Sequence, residues 1–370
     1  MKIGILGGGQ LGWMTILEGK KLGFEFLVLD KSKDSPACKA ADRCFDYSEV
    51  DEFAKLCDVV TYEFEHIPDE VLESVSHITL PSVEVLKLKK SKVEEKLFLK
   101  RGGYPVPNFA VAFGKDLSRV VSTFKLPVVV KAESLGYDGK GQYLIRNGEK
   151  LKTVMMNHRE EERFLVEEFV DFDFEFSIIG VRNDKGEIKL YPPTINYHEE
   201  GILIYNKTAD LNLPLAQEIV ISLMEELNIV GILCVEFFHT KDGHILINEM
   251  APRTHNTGHW TLDGCYTSQF ENLLRAISGL PLGSTKLKSP SGMINIIGKS
   301  YEEIDIKRIL SLEGSKLYWY GKEKRSRRKM GHINVVGDSQ EEVDVILKTL
   351  LFDILKYSIT PKLDTYEYTV

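Results

Sequence analysis

Residues 1–12 read MKIGILGGGQLG. Lys2–Leu6 is a short apolar run of strand type, Gly7-Gly8-Gly9 closes it in a turn, and a helix is expected from Leu11 to about Leu22. A strand that feeds a glycine turn and then a helix opens a crossover unit, so a parallel sheet is expected. Gly7, Gly9 and Gly12 also satisfy G-x-G-x-x-G spacing, and Asp30 ends the next strand about where a ribose-binding acid would stand. Two readings stay open here. One is a nicotinamide-dinucleotide site, as in a dehydrogenase. The other needs no dinucleotide: the glycines let the turn close and the helix approach the sheet, and Gln10 lies at a helix N-terminus, a place that suits an anion.

The alternation continues outward. Phe26–Leu29, Val59–Tyr62 and Ile78–Leu80 read as strands, with a helix over Asp69–Ser76, which makes residues 1–85 an α/β domain. Lys87–Arg101 reads as one charged helix stopped by Gly102-Gly103. Residues 86–285 mix strands (Pro127–Lys131, Phe164–Phe169, Glu175–Val181) with helices (Ala216–Leu227, Gln269–Ser278), an α+β pattern. Within them, Cys234–Phe238 and His244–Glu249 form an antiparallel pair around the turn Lys241-Asp242-Gly243. A linker rich in Pro and Gly near 285 precedes a small β-rich domain, 286–370. It has short strands at Met293–Ile297, Lys316–Trp319 and His332–Val335 and a late helix over about Glu341–Lys356.

Bulk properties narrow the chemistry. A net charge of −8 argues against a nucleic-acid binder, which needs a basic excess to neutralise phosphates. No segment has the roughly 18 uncharged apolar residues of a membrane span, and the N-terminus lacks signal-peptide character. The five cysteines are odd in number and no pair has CxxC spacing, so they read as reduced thiols of a cytoplasmic protein.

Four constellations carry chemistry. Gly136-Tyr137-Asp138-Gly139-Lys140-Gly141-Gln142 follows the strand that ends at Lys131; its N–H groups can close over phosphates, and Lys131 and Lys140 add charge. Glu167-Glu168-Phe169-Val170 can meet an adenine through backbone groups, and Glu175 can accept from ribose hydroxyls, although acids on strand ends are mostly solvated. Glu236 and Glu249 lie one on each member of the antiparallel pair. Two carboxylates placed together call for a cation, and an all-oxygen donor set suits Mg²⁺ that also takes phosphate oxygens. The run Glu249-Met250-Ala251-Pro252-Arg253-Thr254-His255-Asn256-Thr257-Gly258-His259-Trp260 follows; Arg253 can hold a planar oxyanion such as bicarbonate in bidentate fashion. Late in the chain, the basic cluster from Lys322 to Lys329 suits a phosphomonoester, unless it is simply a solvated charge run.

These blocks, GGGQLG at 7–12, YEFEHIP at 62–68, GYDGKGQ at 136–142, NEMAPRTHNTGHWT at 248–261 and RKMGH at 328–332, resemble the N5-carboxyaminoimidazole ribonucleotide synthetase family over about residues 3–335. That family implies an ATP-grasp architecture: an N-terminal parallel-sheet (pre-ATP-grasp) domain, a central ATP-grasp domain and a small C-terminal β-rich domain. It implies ATP and Mg²⁺, with 5-aminoimidazole ribonucleotide and bicarbonate as substrates and a homodimer as the assembly. By the same resemblance Lys92, Lys131, residues 136–142, Glu167–Val170, Glu175, His198, Asn248 and Glu249 bind ATP, and Glu236 and Glu249 hold Mg²⁺. Tyr137, His255, Lys322, Arg328 and Lys329 face the ribonucleotide, and Gln10 and Glu63 match positions where related enzymes touch theirs. Two departures stand out: many members have arginine at the position of Lys92, and Ser326-Arg327 replaces the usual Pro-Gly.

The reaction expected is attack of bicarbonate on the γ-phosphorus of ATP, then capture of carboxyphosphate, or of CO₂ released from it, by the imidazole's exocyclic amine. Arg253, Lys131 and His255 are the catalytic candidates. Another ATP-grasp ligase or transformylase, a biotin carboxylase, a dehydrogenase and a non-catalytic nucleotide-binding protein remain as alternatives.

Overall fold

The computed structural model describes residues 1–133 and 141–357. In the first 80 residues, β1 (Lys2–Leu6), β2 (Glu25–Leu29), β3 (Arg43–Phe45) and β4 (Val59–Tyr62) form a parallel sheet in the order β3-β2-β1-β4. Helices α1 (Gln10–Lys20), α2 (Pro36–Ala40), α3 (Val50–Leu56) and α4 (Asp69–Val75) alternate with the strands. The near-continuous apolar runs of β1 and β2 suit strands covered on both faces. Gly7 sits at φ +98°, a conformation that needs glycine, and turns the chain from β1 into α1. Residues 78–80 do not form the expected strand. They follow a 3₁₀ turn, Ser76–Ile78, and make one parallel bridge, Val60 to Thr79.

The single helix expected over Lys87–Arg101 is two, α5 (Val83–Lys90) and α6 (Lys92–Arg101). Ser91 between them is extended. Its hydroxyl accepts the Glu94 N–H at 3.1 Å and donates to Glu133 at 2.6 Å, so it caps the second helix and breaks the first.

A four-stranded antiparallel sheet follows: β5 (Phe109–Phe113), β6 (Val128–Ala132), β7 (Gln142–Ile145) and β8 (Arg163–Glu168), in the order β5-β8-β6-β7. The remaining strands share one nine-stranded sheet. They are β9 (Phe172–Arg182), β10 (Ile188–Leu190), β11 (Thr194–Glu199), β12 (Ile202–Thr208), β13 (Gly231–Thr240), β14 (Ile245–Ala251), β15 (Ser291–Ile297), β16 (Ser315–Trp319) and β17 (Lys329–Val336). The order is β14-β13-β9-β11-β12-β15-β17-β16, with β10 against β9. The helix Pro214–Glu226 packs Val220, Leu223 and Met224 beside Ile178, Leu233 and Val235 of β9 and β13, a dry layer that fixes the hairpin β13–β14 above it. The C-terminal strands continue this sheet through β12–β15 pairing. The late helix runs from Gln340 to Lys348 and then widens into a π turn, Thr349–Ile354.

One expectation about cysteines is overturned. Cys38 and Cys44 form a disulfide, because α2 and β3 bring their Cα atoms to 5.2 Å, within bonding range. Cys57, Cys234 and Cys265 are buried free thiols. Cysteine usage therefore gives no argument for a reducing compartment. Among the described residues no helix is long and apolar enough to cross a membrane.

Candidate functional site

The glycine loop is already satisfied from within. Glu63, just past the end of β4, accepts the N–H of Gly9 through Oε1 and that of Gly12 through Oε2 at 2.9 Å. Burial pushes the Glu63 carboxyl above the ordinary range, and the Gly12 N–H only partly offsets this. These donors are the ones a dinucleotide pyrophosphate would use. The first turn of α1 thus holds the chain's own carboxylate, which removes the basis for a dehydrogenase reading. Gln10, the first residue of α1, accepts from Lys322 Nζ across 312 positions of sequence. Lys322 also lies over the Tyr320 ring, 5.2 Å from its centroid.

The rest of the basic run is not one patch. Lys324 pairs with Glu303 at 2.6 Å, Arg325 with Glu323 at 2.8 Å and Arg327 with Glu200, while Arg328 donates to the Glu323 carbonyl at 2.9 Å. Lys329 opens β17 and carries its charge toward His255 and His198.

Glu236 and Glu249 are direct cross-strand partners in the β13–β14 hairpin. Glu236 is buried and Glu249 is partly exposed. Burial raises the Glu236 carboxyl and the facing Glu249 adds to the rise, against the pull of His198. Glu249 is held well below the ordinary range because Lys89 outweighs its burial. The two carboxylates face each other across the hairpin, one held ionised by Lys89 and the other forced toward its protonated form. Among the described residues no three His, Cys, Asp or Glu side chains cluster as a metal site. Two carboxylate donors suit an ion that accepts oxygen ligands and takes its others from water or phosphate, as Mg²⁺ does.

Lysines ring this pair. Lys89 Nζ is 2.9 Å from Glu249 and 3.0 Å from Glu95. Lys131 Nζ is 2.6 Å from Glu167 and 3.3 Å from Asn248 Oδ1. Lys96 Nζ lies 2.9 Å from Glu167 Oε1 and donates to the Asn248 carbonyl at 2.8 Å. Burial opposes the charge on Glu167, yet Lys131 and Lys96 hold its pKa at about 2. Burial pulls the Lys92 ammonium down, with Glu249 acting in the other direction. Glu175 and His198, on adjacent β9 and β11, form a hydrogen-bonded ion pair; it overcomes the burial of His198 and lifts it to about 9.

Arg253 is engaged rather than open. Its Nε donates to Glu65 at 2.7 Å, its Nη2 lies 2.5 Å from the same oxygen, and Nη1 donates to the Thr254 carbonyl at 2.9 Å. His255 Nδ1 is 2.9 Å from the Thr257 hydroxyl and its Nε2 is 3.7 Å from Glu236. Burial, then Arg253, drive His255 well below the ordinary histidine range, so the ring is neutral at pH 7.

Other expected residues fall at the periphery of this cluster. The Glu168 carboxylate accepts the Asn108 N–H at 2.8 Å. Phe169 and Val170 border an open depression with Thr240, Asp242, His244 and Leu246. Gly141, at φ +68°, accepts the Ala132 N–H at 2.8 Å, and Gln142 begins β7. Gly136, Tyr137, Asp138, Gly139 and Lys140 lie outside the described residues. Sequence reasoning missed Lys89, Lys96, Glu95 and Glu65. The i, i+3, i+7 spacing of Lys89, Lys92 and Lys96 is visible in the sequence, but residues 87–101 read only as one charged helix, of which Lys92 alone is singled out, through the family resemblance.

Paired acids, a lysine ring and a parallel-sheet domain folded onto an antiparallel one define an ATP-grasp protein. The ATP-grasp domain model matches residues 97–270, the ribonucleotide synthetase preATP-grasp domain model residues 1–88, and the phosphoribosylaminoimidazole carboxylase C-terminal domain model residues 291–345. N5-carboxyaminoimidazole ribonucleotide synthase from Aquifex aeolicus is 61% identical over 332 residues, 90% of this chain and 91% of its own. The synthase of the same name from Saccharolobus solfataricus is 47% identical over 336 residues, 90% of each chain. The crystal structure of the phosphoribosylaminoimidazole carboxylase ATPase subunit from Aquifex aeolicus superposes with a TM-score of 0.85 at 55% identity, covering 96% of this chain and all of the other. That of N5-carboxyaminoimidazole synthase from Aspergillus clavatus, in complex with ADP and 5-aminoimidazole ribonucleotide, gives 0.85 at 27% identity over 94% of this chain and 97% of the other. The chain belongs to the N5-carboxyaminoimidazole ribonucleotide synthase family, and it is an ATP-dependent ligase.

Proposed function

We propose that this protein carboxylates 5-aminoimidazole ribonucleotide to N5-carboxyaminoimidazole ribonucleotide with ATP and bicarbonate, releasing ADP and phosphate in purine synthesis. The observation that carries the reading is the cross-strand Glu236–Glu249 pair ringed by Lys89, Lys92 and Lys131. It is a site built for a polyphosphate and its cation.

In this reading Glu236 and Glu249 would hold Mg²⁺, which would supply neutralisation of phosphate charge. Lys92 and Lys131 meet the phosphates, assisted by Asn248 and the glycine loop 136–142. Glu167–Val170 and Glu175 flank the nucleoside, with His198 fixing the Glu175 carboxylate. A bicarbonate oxygen attacks the γ-phosphorus and ADP leaves, a step that depends on positioning and charge more than on covalent help from the protein. Arg253 meets the oxyanion by exchanging the Thr254 carbonyl that its Nη1 now holds, while Glu65 fixes the guanidinium plane through Nε and Nη2. The exocyclic amine then bonds to the carboxyl carbon, phosphate departs, and the amine loses a proton. His255, neutral at pH 7 and next to Glu236, is a proton acceptor for that step. Gln10 and Lys322 hold the ribonucleotide with Glu63, Arg328 and Lys329, and Tyr137 is assigned to the same ligand.

The protein is further proposed to be a cytoplasmic homodimer, a state that sedimentation equilibrium would test. The functional test is ADP release with Mg²⁺-ATP and bicarbonate, with and without 5-aminoimidazole ribonucleotide. Release that depends on the ribonucleotide is expected. ATP binding without such stimulation would point to a different acceptor.

A further inference from the structure

Lys89 grips a proposed metal ligand directly. It lies in the last turn of α5, with its side chain only 9% exposed. Its ammonium is shared between Glu249 Oε2 at 2.9 Å and Glu95 Oε2 at 3.0 Å. Glu95 is itself pinned, since its other oxygen accepts the Met250 N–H at 2.7 Å, next to Glu249 in β14. The helix break at Ser91 is what makes this possible. It lets Lys89 approach from α5 and Glu95 from α6, so that both converge on the end of β14.

The consequence is electrostatic. A carboxylate gripped by a buried ammonium is a poor ligand for a second cation, because the two positive charges repel across a few ångströms, even where solvent reaches the partly exposed Glu249 and damps the repulsion. A bare divalent ion that reaches Glu236 and Glu249 meets Lys89 on one side and the charges of Lys92 and Lys131 behind it. A triphosphate reverses the balance, since it brings negative charge for the lysines and oxygen ligands for the metal.

We propose that Lys89 is a resident counter-ion that occupies Glu249 in the nucleotide-free protein and yields it when metal and nucleotide arrive together. It is a positioning residue for the metal ligand. Its effect is that free metal binds weakly and metal–nucleotide binds well. This rests on the reading that Glu236 and Glu249 hold the metal.

The test uses Mn²⁺ as a paramagnetic probe of the intact protein, its binding followed by electron paramagnetic resonance with and without ATP. Lys89→Gln is the main variant, because its amide can still donate to Glu95; Lys89→Met is the second and Lys89→Arg the cation-retaining control. Lys89→Gln is expected to tighten nucleotide-free Mn²⁺ binding by about tenfold or more, while wild type and Lys89→Arg stay weak. Adding Glu249→Gln to Lys89→Gln is expected to abolish the gain. A merely structural lysine would not improve metal affinity when removed. If folded Lys89→Gln and Lys89→Met bind Mn²⁺ no tighter than wild type, while Glu249→Gln alone still weakens Mn²⁺-ATP binding, the counter-ion idea falls and the metal site stands. If Glu249→Gln leaves Mn²⁺-ATP binding at the wild-type level, the metal reading falls and takes the proposal with it.

Discussion

Replacing Glu167 by glutamine keeps the shape of a buried side chain and removes one charge from a site where two lysines depend on it. Lys131 is 2.6 Å from one oxygen, Lys96 is 2.9 Å from the other, and the Glu167 side chain is 4% exposed, so solvent screening is slight. The carboxyl falls from an ordinary 4.5 to about 2 in the folded protein. At 1.36 kcal/mol per pH unit the fall is worth about 3 kcal/mol of folding stability at pH 7. Because the folded value is the lower one, that contribution is fully present above pH 4.5 and is lost as the pH drops through 2. Glu167→Gln should therefore cost about 3 kcal/mol at pH 7, in line with breaking a buried ion pair on one side. It should also flatten the acid limb of the stability curve. Urea unfolding of both proteins between pH 2 and pH 7 measures this directly. A second readout is ATP affinity. With Glu167 gone, Lys96 and Lys131 share a buried site with less negative charge, and one should lose its proton on the alkaline side. ATP binding by calorimetry should then weaken between pH 7 and 9 in the variant and hold steady in wild type. Equal unfolding energies across the acid range would refute the account of Glu167 as the anchor of both lysines.

Lys322→Ala should raise the KM for the ribonucleotide about 10- to 100-fold with a smaller change in kcat, the loss of one charge-assisted hydrogen bond; steady-state kinetics at saturating ATP would show it. His198 should titrate near pH 9 by imidazole NMR, so the stability it gains from Glu175 is present below 6.5 and disappears as the pH rises through 9. In Glu175→Gln, burial should dominate and bring that midpoint down to the ordinary histidine value or lower. Denatured, unreduced protein should react with three thiol equivalents rather than five, since Cys38 and Cys44 are bonded to each other.

The parallel first sheet and the β13–β14 hairpin were legible in residue patterns and motif order, whereas Gln10 and Lys322 were assigned to one ligand only through the family resemblance. Each depends on short-range rules or on blocks whose order carries the information. The Glu236–Glu249 opposition was legible only in outline. Near the turn the partners run from His239 with Ile245 to Phe237 with Ile247, and continued unbroken they would set Glu236 against Asn248. A bulge beyond Phe237 brings Glu249 opposite instead, and no residue type announces a bulge. The split of the 87–101 helix turned on one serine hydroxyl finding Glu133, a contact made only in the folded chain. Glu63 closing the glycine loop and Glu65 gripping Arg253 are likewise tertiary events. Their motif was noticed, but nothing in YEFEHIP says which acid turns toward which loop. The disulfide escaped because sequence spacing says little about the approach of a helix to a strand.

The nine-stranded sheet bears on how the chain can be divided. Three family models tile the sequence, which suggests separable modules. Yet β12, buried along its whole length, bonds to β11 on one side and to β15 on the other. A cut in the linker near residue 285 would leave β12 as a raw edge with unpaired amides, the kind of surface that recruits foreign strands. Fragments ending there should be insoluble unless the missing C-terminal piece is supplied in trans. Exchange of C-terminal segments between relatives would likewise have to preserve the pairing of Tyr205, Asn206 and Lys207 with Ile294, Met293 and Gly292, because the seam runs through a sheet and not between two bodies.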